Sequence, residues 1–114
     1  MTAQKIEEIT FSDFEKLDLR IGKILEVTTV PESKKLIKIV VDFGTEQHQA
    51  VAGIRKYYPP ETLIGKKCVF LLNLQRRTLA GIESQCMILA AEDEAGNVSV
   101  LQLERDLPEG SKIR

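Results

Sequence analysis

Apolar and polar residues alternate along residues 17–54 with the two-residue period of β-strands. The apolar positions of the first two strands are Leu19, Ile21, Leu25 and Val27, followed by Ile37, Ile39, Val41 and Phe43. A third strand, His48 to Ile54, follows the turn Gly44-Thr45-Glu46. The pattern therefore predicts a three-stranded antiparallel meander. Gly22 interrupts the first strand and predicts a bulge or bend at that position.

Two short helices are predicted beside these strands. Phe11, Phe14 and Leu17 fall at helical spacing after Thr10, which indicates a capped N-terminal helix. The run Pro60-Glu61-Thr62-Leu63 can form one helical turn, because proline suits the first position of a helix.

The second half of the chain predicts further strands. A fourth strand is predicted from Lys67 to Leu74, and because residues 68–72 are all apolar we expect it to be buried on both faces. Ile82 to Ala91 predicts the next strand, and Ala80-Gly81 predicts the turn of a hairpin between the two. One extra strand is predicted at 98–103.

Three strands, a helical connection and two more strands are the order of an all-β OB-fold, a five-stranded Greek-key barrel. An SH3-like barrel is the alternative, and the helical connection between the third and fourth strands favours the OB-fold. We expect a single domain over residues 1–114. Residues 1–12 would be an N-terminal extension, and residues 98–114 a C-terminal segment for dimerisation or cover.

The extra strand at 98–103 is more apolar than a peripheral hairpin requires, and the N-terminal segment adds isolated apolar residues and the helix face. They predict the interface of a twofold homodimer, formed by Ile6, Ile9, Phe11, Phe14, Val98, Val100, Leu101 and Leu103. The alternative is that both segments only cover the open ends of the barrel.

Composition places the chain among ordinary globular proteins, with 43% hydrophobic and 29% charged residues in 114. No apolar run approaches the ~20 residues of a membrane span, and the N-terminus lacks the apolar segment of a signal peptide. We therefore expect a cytoplasmic protein without a membrane partner. Cys68 and Cys86 lie in apolar runs and are expected to be buried, reduced thiols of raised pKa.

Charge is segregated along the chain although the formal net charge is −1. Residues 34–77 carry nine basic and three acidic side chains, whereas the segments on either side are both acidic. Such a cationic middle segment can attract a polyanion. It is equally consistent with lysines that only solvate strand ends.

Signatures of catalysis are missing from the sequence. No glycine-rich phosphate loop occurs, and His48, the only histidine, has no neighbouring carboxylate in sequence. A metal site would need ligands beyond the two cysteines and His48. We therefore expect a non-catalytic protein with no cofactor and no metal.

Binding chemistry concentrates between Asn73 and Ala91. Arg76 and Arg77 precede the predicted turn, and Glu83, Ser84 and Gln85 follow it, next to apolar strand. OB-folds commonly bind nucleic acids on one face. Only two aromatic residues, Tyr57 and Tyr58, are available for stacking, and packing as a lid is the alternative role for both. This scarcity of aromatic residues favours recognition of folded RNA by backbone and shape.

Four separated motifs resemble the tRNA-binding domain family. They are Asp18-Leu-Arg-Ile-Gly-Lys-Ile, Val51-Ala-Gly-Ile-Arg-Lys-Tyr-Tyr-Pro-Pro-Glu, Asn73-Leu-Gln-Arg-Arg and Gly81-Ile-Glu-Ser-Gln-Cys-Met-Ile-Leu-Ala-Ala. The family includes the C-terminal domain of bacterial methionyl-tRNA synthetase, stand-alone tRNA-binding proteins (also labelled methionyl-tRNA synthetase beta subunit) and endothelial monocyte-activating polypeptide II. The resemblance implies a homodimeric tRNA binder and an aminoacyl-tRNA synthetase as a further partner.

The resemblance also implies an RNA surface. Its residues would be Asn73, Arg77, Ser84 and Met87, with Lys35 as a weaker fifth and Arg76 as an added cation. Arg77 would pair with phosphate, Asn73 and Ser84 would form hydrogen bonds, and Met87 would offer an apolar contact. The chain departs from the family at Arg76, often proline, at Val30-Pro31, often histidine-proline, and at Cys86, usually glycine.

Two alternatives stand beside tRNA binding. One branch of the family is described as a secretion-related chaperone of unfolded protein, and Asp13-Phe-Glu-Lys-Leu-Asp would also suit that branch. The other alternative is an adaptor that recruits a synthetase by protein contacts alone.

Overall fold

The computed structural model describes residues 6–114. Residues 1–5, part of the N-terminal extension expected over 1–12, lie outside the described residues. The elements in chain order are α1 (Phe11–Glu15), β1 (Leu19–Thr29), β2 (Ile37–Asp42), β3 (Gln47–Ala52), α2 (Pro60–Leu63), β4 (Lys67–Leu71), β5 (Arg77–Leu79), β6 (Ile82–Ser84), β7 (Met87–Ile88), β8 (Ala90–Glu92) and β9 (Val98–Val100).

Five strands form one curled antiparallel sheet in the order β3-β2-β1-β4-β7. The strands β5 and β6 form a separate hairpin, and so do β8 and β9. With α2 inserted between β3 and β4, this arrangement confirms the predicted all-β OB-fold. Neither helix in residues 6–114 is long and apolar enough to cross a membrane.

Both predicted helices form. The hydroxyl of Thr10 accepts a hydrogen bond from the Asp13 N–H (3.1 Å), and the Asp13 carboxylate accepts one from the Thr10 N–H (3.3 Å), which makes a capping box for α1. Pro60 opens α2, and Leu63 at its end is fully buried.

The interior of the curled sheet follows the predicted alternation most closely in β2. Ile37, Ile39 and Val41 are fully buried, whereas Lys38 between them is not. Just beyond the strand, the Phe43 ring meets the Phe70 ring of β4 edge-on, with centroids 5.5 Å apart. Side chains of β2 therefore form the centre of the core.

The bulge of β1 lies elsewhere than predicted. Gly22 is regularly paired with Cys68, and the register against β2 shifts between Ile24 and Glu26. Because an extra residue inverts the faces of a strand, Ile24 is fully buried and Leu25 only half-buried. The prediction of a bulge at Gly22 is therefore wrong, and so is the assignment of Leu25 to the buried face.

The later strands are shorter than the sequence predicts. β4 ends at Leu71, and Val69 and Leu71 are half-buried, so the prediction of a strand buried on both faces to Leu74 is wrong. The single strand expected from Ile82 to Ala91 is divided into β6, β7 and β8. The division arises because successive parts of this segment pair with different partners, β5, β4 and β9.

The C-terminal residues run along the first half of β1. The Ile21 N–H donates to the Ser111 carbonyl (2.9 Å), the Gly110 N–H donates to the Ile21 carbonyl (2.7 Å), and Arg20 and Lys112 form a bridge. Leu19 and Ile21 are buried but lie outside the main core cluster. The terminal segment thus completes the hydrogen bonding of a strand edge that β2 does not reach.

Candidate nucleic-acid interface

The hairpin β5–β6 presents the most conspicuous cations of the sequence. Arg77 pairs with Ser84 and Leu79 with Ile82, and the two turn residues, Ala80 and Gly81, have φ of 50° and 78°. Positive φ at both central residues is the geometry of a two-residue hairpin turn. The predicted turn at Ala80-Gly81 is confirmed.

Side chains fasten this hairpin to the free edge of β3. The Gln85 N–H donates to the Gln49 carbonyl (2.9 Å), and the Gln49 N–H donates to the side-chain oxygen Oε1 of Gln85 (3.1 Å). The amide Nε2 of Gln49 also donates to the Glu83 carbonyl (2.7 Å). The barrel is therefore closed here by glutamine side chains as well as by backbone.

Ser84 belongs to the same closure. Its hydroxyl accepts a hydrogen bond from the Val51 N–H (3.0 Å) and donates to the Cys86 carbonyl (3.1 Å). A hydroxyl has one donor and two acceptor sites, so one acceptor site of Ser84 is left for a ligand. Ser84 therefore both positions the hairpin and keeps limited capacity for an RNA contact.

A surface hollow of about 340 Å³, which we call the central groove, lies between β3 and the hairpin. Its apolar wall includes Val51, Leu79 and Met87, and Arg77 supplies a cation. A narrow recess of about 30 Å³ joins it and adds Ser84 to the same surface. Met87 is 39% exposed, so its thioether is available to a ligand.

A second hollow of about 210 Å³, which we call the end pocket, adjoins the central groove at Gly53. Its other lining residues are Lys35, Lys56 and Tyr57. No carboxylate is among the described residues that line the central groove or the end pocket. The combined surface is cationic with apolar walls, as anion-binding nucleic-acid sites require.

The pairing of strands in the sheet places one more cation beside this surface. Lys38 of β2 lies directly opposite Val51 of β3, with Thr28 of β1 on its other side. Side chains of directly paired residues share a face and begin about 5 Å apart. Lys38 therefore adds to the positive field beside the central groove.

Part of the cationic middle segment lies elsewhere. The ammonium of Lys67 is 2.6 Å from Asp106 and 3.6 Å from Glu109, among residues that line neither hollow. The hydrogen bond with Asp106 is the main reason why the pKa of Lys67 is raised above its ordinary value. The positive charge counted from the sequence is thus divided between two faces.

Two of the sequence-predicted site residues do not line these hollows. Asn73 accepts a hydrogen bond from the Asp18 N–H (2.8 Å) and donates one to the Lys16 carbonyl (2.5 Å). The guanidinium of Arg76 donates to the Gln85 carbonyl (2.6 Å). The structure therefore brings Lys35, Arg77, Ser84 and Met87 together on one surface and gives Asn73 and Arg76 bonds within the fold.

Four contributors to this surface were not predicted as individual site residues: Lys38, Gly53, Lys56 and Leu79. Lys38 and Lys56 were visible only as part of a charge count. Gly53 has no side chain that would indicate a binding role. The feature that could have indicated one is a lone glycine at the end of a predicted strand, where the backbone can approach a ligand closely.

The predicted dimer residues are unequally exposed. Ile6, Ile9 and Phe11 are 85%, 66% and 73% exposed, and Leu101 is 41% exposed. Phe14, Val98 and Leu103 are half-buried. Val100 is buried in the core, and its N–H donates to the hydroxyl of Tyr58 (3.0 Å).

Both cysteines are free and buried, as predicted. Burial raises the pKa of the Cys68 thiol to about 11 and that of Cys86 to about 12. Cys86 points toward the edge of β3, with its sulfur 3.8 Å from the Gln49 carbonyl. The side chain that replaces the family's glycine is therefore accommodated inside the closure.

His48 does have an acidic neighbour. Its Nε2 lies 3.1 Å from a carboxylate oxygen of Glu46, two residues earlier in the chain and just before β3 begins. The statement that it lacks a neighbouring carboxylate is therefore wrong. Within residues 6–114, no group of three or more metal-ligating side chains could hold a metal ion.

Solved structures of two kinds resemble this fold closely. A MetRS-related protein from Pyrococcus horikoshii gives a TM-score of 0.91 at 36% identity, over 96% of this chain and all of that one. The chaperone CsaA from Bacillus anthracis gives a TM-score of 0.85 at 38% identity, over 95% of this chain and all of that one.

Curated relatives of high identity are methionine–tRNA ligases. The one from Methanocaldococcus jannaschii is 50% identical over 111 residues, and the one from Deinococcus radiodurans 48% over 112. These matches cover 97% and 98% of this chain but only 17% and 16% of the ligases. The chain spans about one sixth of the length of the curated relatives that it matches.

The family model described as "Putative tRNA binding domain" matches residues 19–112, nearly the whole of the described chain. The resemblance found from the sequence motifs is thereby confirmed. On the strength of this match and of the relatives above, the chain belongs to that tRNA-binding domain family.

Proposed function

We propose that this chain binds tRNA through the central groove and the end pocket, by backbone and shape rather than by base sequence. The observation that carries the proposal is the grouping of Arg77, Lys35 and Lys56 around apolar walls without a lining carboxylate. The family match and the ligase relatives support tRNA as the polyanion.

The residues of this surface have distinct roles in the proposal. Arg77 and the lysines neutralise phosphates and release their counterions, which provides most of the affinity. Met87 and Leu79 give an apolar contact to sugar or base. Ser84 holds the backbone of β3, and its remaining acceptor site faces the RNA, whereas Asn73 holds the backbone at Lys16 and Asp18.

We also propose that the protein is non-catalytic and acts in the cytoplasm as a homodimer. Ile6, Ile9, Phe11 and Leu101 offer exposed apolar surface for a second copy. Since the matched relatives are methionine–tRNA ligases, we propose that the chain is a trans-acting accessory of a methionyl-tRNA synthetase.

The test is a titration of two different tRNAs at two ionic strengths. We expect affinity to fall steeply with salt, and Arg77→Ala to weaken both tRNAs about equally. Arg105→Ala is the matched control, because this exposed arginine lies away from both hollows. An affinity for tRNA that does not change with salt concentration would overturn the proposal, and so would equal losses of affinity in the two variants.

Homodimerisation has its own test. Equilibrium sedimentation should give twice the mass of the chain, and Phe11→Ser should shift the protein toward monomer because it removes exposed apolar contact area. A wild-type protein that sediments as a monomer would contradict the dimer and leave tRNA binding untouched.

A second candidate function is binding of unfolded protein, favoured by the similarity to chaperone CsaA. The same exposed apolar side chains would then contact the unfolded polypeptide. Suppressed aggregation of an unrelated protein at stoichiometric amounts, undiminished by competing tRNA, would support this function. Suppression that tRNA abolishes would contradict a protein-binding surface separate from the groove.

A further inference from the structure

We infer that the end pocket holds one unstacked nucleotide, with its phosphate between Lys35 and Lys56 and its base against the ring of Tyr57. The inference rests on the proposed binding of tRNA and deepens it. Neither the family match nor the relatives assign a role to Tyr57 or Lys56.

The end pocket is open toward the central groove. The two hollows share Gly53, and a Cβ built there would meet nothing within 4 Å. An RNA strand can therefore pass from Arg77 to the end pocket without crossing a wall. With about 210 Å³, the pocket has space for a planar group as well as water.

The loop that carries Lys35 is fixed in place. The hydroxyl of Ser33 accepts hydrogen bonds from the Lys35 N–H (3.1 Å) and the Leu36 N–H (3.2 Å). Arg55 donates from its guanidinium to the Ser33 carbonyl (2.6 Å) and from its backbone to the Lys35 carbonyl (3.1 Å). These bonds fix the backbone of Lys35 at the end pocket before any ligand arrives.

The ring of Tyr57 is a firm platform. The Tyr57 N–H donates to the Ile54 carbonyl (3.0 Å), which fixes the turn, and the half-buried ring packs against the core. Next to it, Tyr58 is anchored through the Val100 N–H. An aromatic ring held in this way stacks with any base, so the pocket needs no particular sequence.

Lys56 covers the Tyr57 ring before RNA binds. Its ammonium lies 5.1 Å from the ring centroid, within the range of a cation–π contact. A phosphate offers the ammonium a full negative charge, a stronger partner than the ring at an exposed site. Lys56 then moves to the phosphate and uncovers the ring, and the base replaces the cation on the ring face.

The two tyrosines make the inference directly measurable, because the chain contains no tryptophan. Addition of tRNA should quench intrinsic tyrosine fluorescence as a base stacks on Tyr57. Tyr57→Phe should keep the affinity and lose the quenching, since phenylalanine stacks equally well but removes the reporter. Tyr58→Phe is the matched control and should keep the quenching.

Affinity provides the second measurement. Tyr57→Leu should weaken tRNA binding roughly tenfold, the scale of one lost base–aromatic stack. Lys56→Ala should reduce the slope of log affinity against log salt by about 1, as for one lost phosphate contact. Thermal midpoints of the variants show whether each remains folded, and Tyr57→Phe keeps the test valid if Tyr57→Leu does not fold.

The outcomes separate the inference from the proposed function. Salt-dependent binding of tRNA with no quenching, or with quenching that persists in Tyr57→Phe, overturns the nucleotide pocket alone. Failure to bind tRNA at low salt overturns the proposed function and the pocket with it. Quenching that Tyr57→Phe abolishes at unchanged affinity establishes the stack.

Discussion

Gln49 and Gln85 exchange two hydrogen bonds across the closing edge of the barrel. The Gln85 N–H donates to the Gln49 carbonyl (2.9 Å), and the Gln49 N–H donates to the side-chain oxygen of Gln85 (3.1 Å). A side chain thus takes the place of a backbone carbonyl where the β5–β6 hairpin meets β3. The hairpin that carries Arg77 depends on this pair for its position.

Gln85→Ala should therefore loosen the closure. The Gln49 N–H loses its acceptor, and we expect the free energy of unfolding to fall by about 1 kcal/mol. Amide hydrogen exchange at Gln49 should become faster, as measured by NMR. Gln102→Ala, an exposed glutamine at a distance, is the control. An unchanged exchange rate at Gln49 would show that the side-chain bond contributes nothing.

Asn73→Ala should act on stability more than on RNA binding. Its side chain joins the Lys16 carbonyl to the Asp18 N–H, and the loss of both bonds should lower the free energy of unfolding by about 1–2 kcal/mol. Urea denaturation measures this change. The affinity for tRNA should fall less than in Arg77→Ala. A larger loss of affinity than in Arg77→Ala would identify Asn73 as a principal RNA contact.

Gly22→Ala should destabilise the core. A Cβ at Gly22 would collide with Cγ1 of Val41 and lie only 2.7 Å from Cε1 of Phe43, both of them buried. Overpacking of this kind typically costs about 1–3 kcal/mol, measurable by urea denaturation. Gly53→Ala, where a Cβ meets nothing within 4 Å, should be close to neutral for stability. Equal effects of the two substitutions would contradict the close packing at Gly22.

Cys68 and Cys86 should resist alkylation in the folded protein at neutral pH. The thiolate is the reactive form, and burial raises the pKa of the two thiols to about 11 and about 12. Mass spectrometry after treatment with iodoacetamide should find both unmodified, and both alkylated after denaturation. Rapid labelling of Cys86 in the native protein would mean that the barrel opens readily at its closing edge.

We expect the ion pair of Lys67 to make the free energy of unfolding change with pH in the alkaline range. The hydrogen bond with Asp106 raises the pKa of Lys67 in the folded state, so its stabilising effect is complete below the pKa of the unfolded chain, about 10.4. The effect is lost as pH rises through the folded pKa. Lys67→Met should therefore lower the thermal midpoint at pH 7 and lower it less above pH ~10.5. Lys66→Met is the control, and a difference that grows with pH would contradict this linkage.

The strands differ in how far sequence alone located them. β2 follows strict alternation from Ile37 to Val41, and its buried face was predicted correctly because nothing interrupts its period. β1 contains an extra residue, and no local pattern shows which residue it is. Ile24 instead of Leu25 faces the core because β2 pairs on both sides of the bulge.

The sequence predicted those parts of the candidate site whose residues lie close together along the chain. The resemblance to the family implied that Arg77, Ser84 and Met87 share one surface, and all three lie in or beside the hairpin that the sequence predicted. The hydrogen bonds of Ser84 and Asn73 join residues 33 and 55 positions away, to Val51 and Asp18. No sequence pattern near Ser84 or Asn73 predicts a hydrogen-bond partner so far away in the chain.

By itself the sequence determined the first three strands and both helices, the hairpin turn, the buried thiols and the family, because each depends on local periodicity or on contiguous motifs. Only the tertiary structure decided which cations act together. Lys35 and Lys56 line a pocket that shares Gly53 with the groove of Arg77, whereas Lys67 is held by Asp106, 39 residues further along the chain. Long-range pairing of strands brings these charges together, and a charge count along the chain contains no such distances.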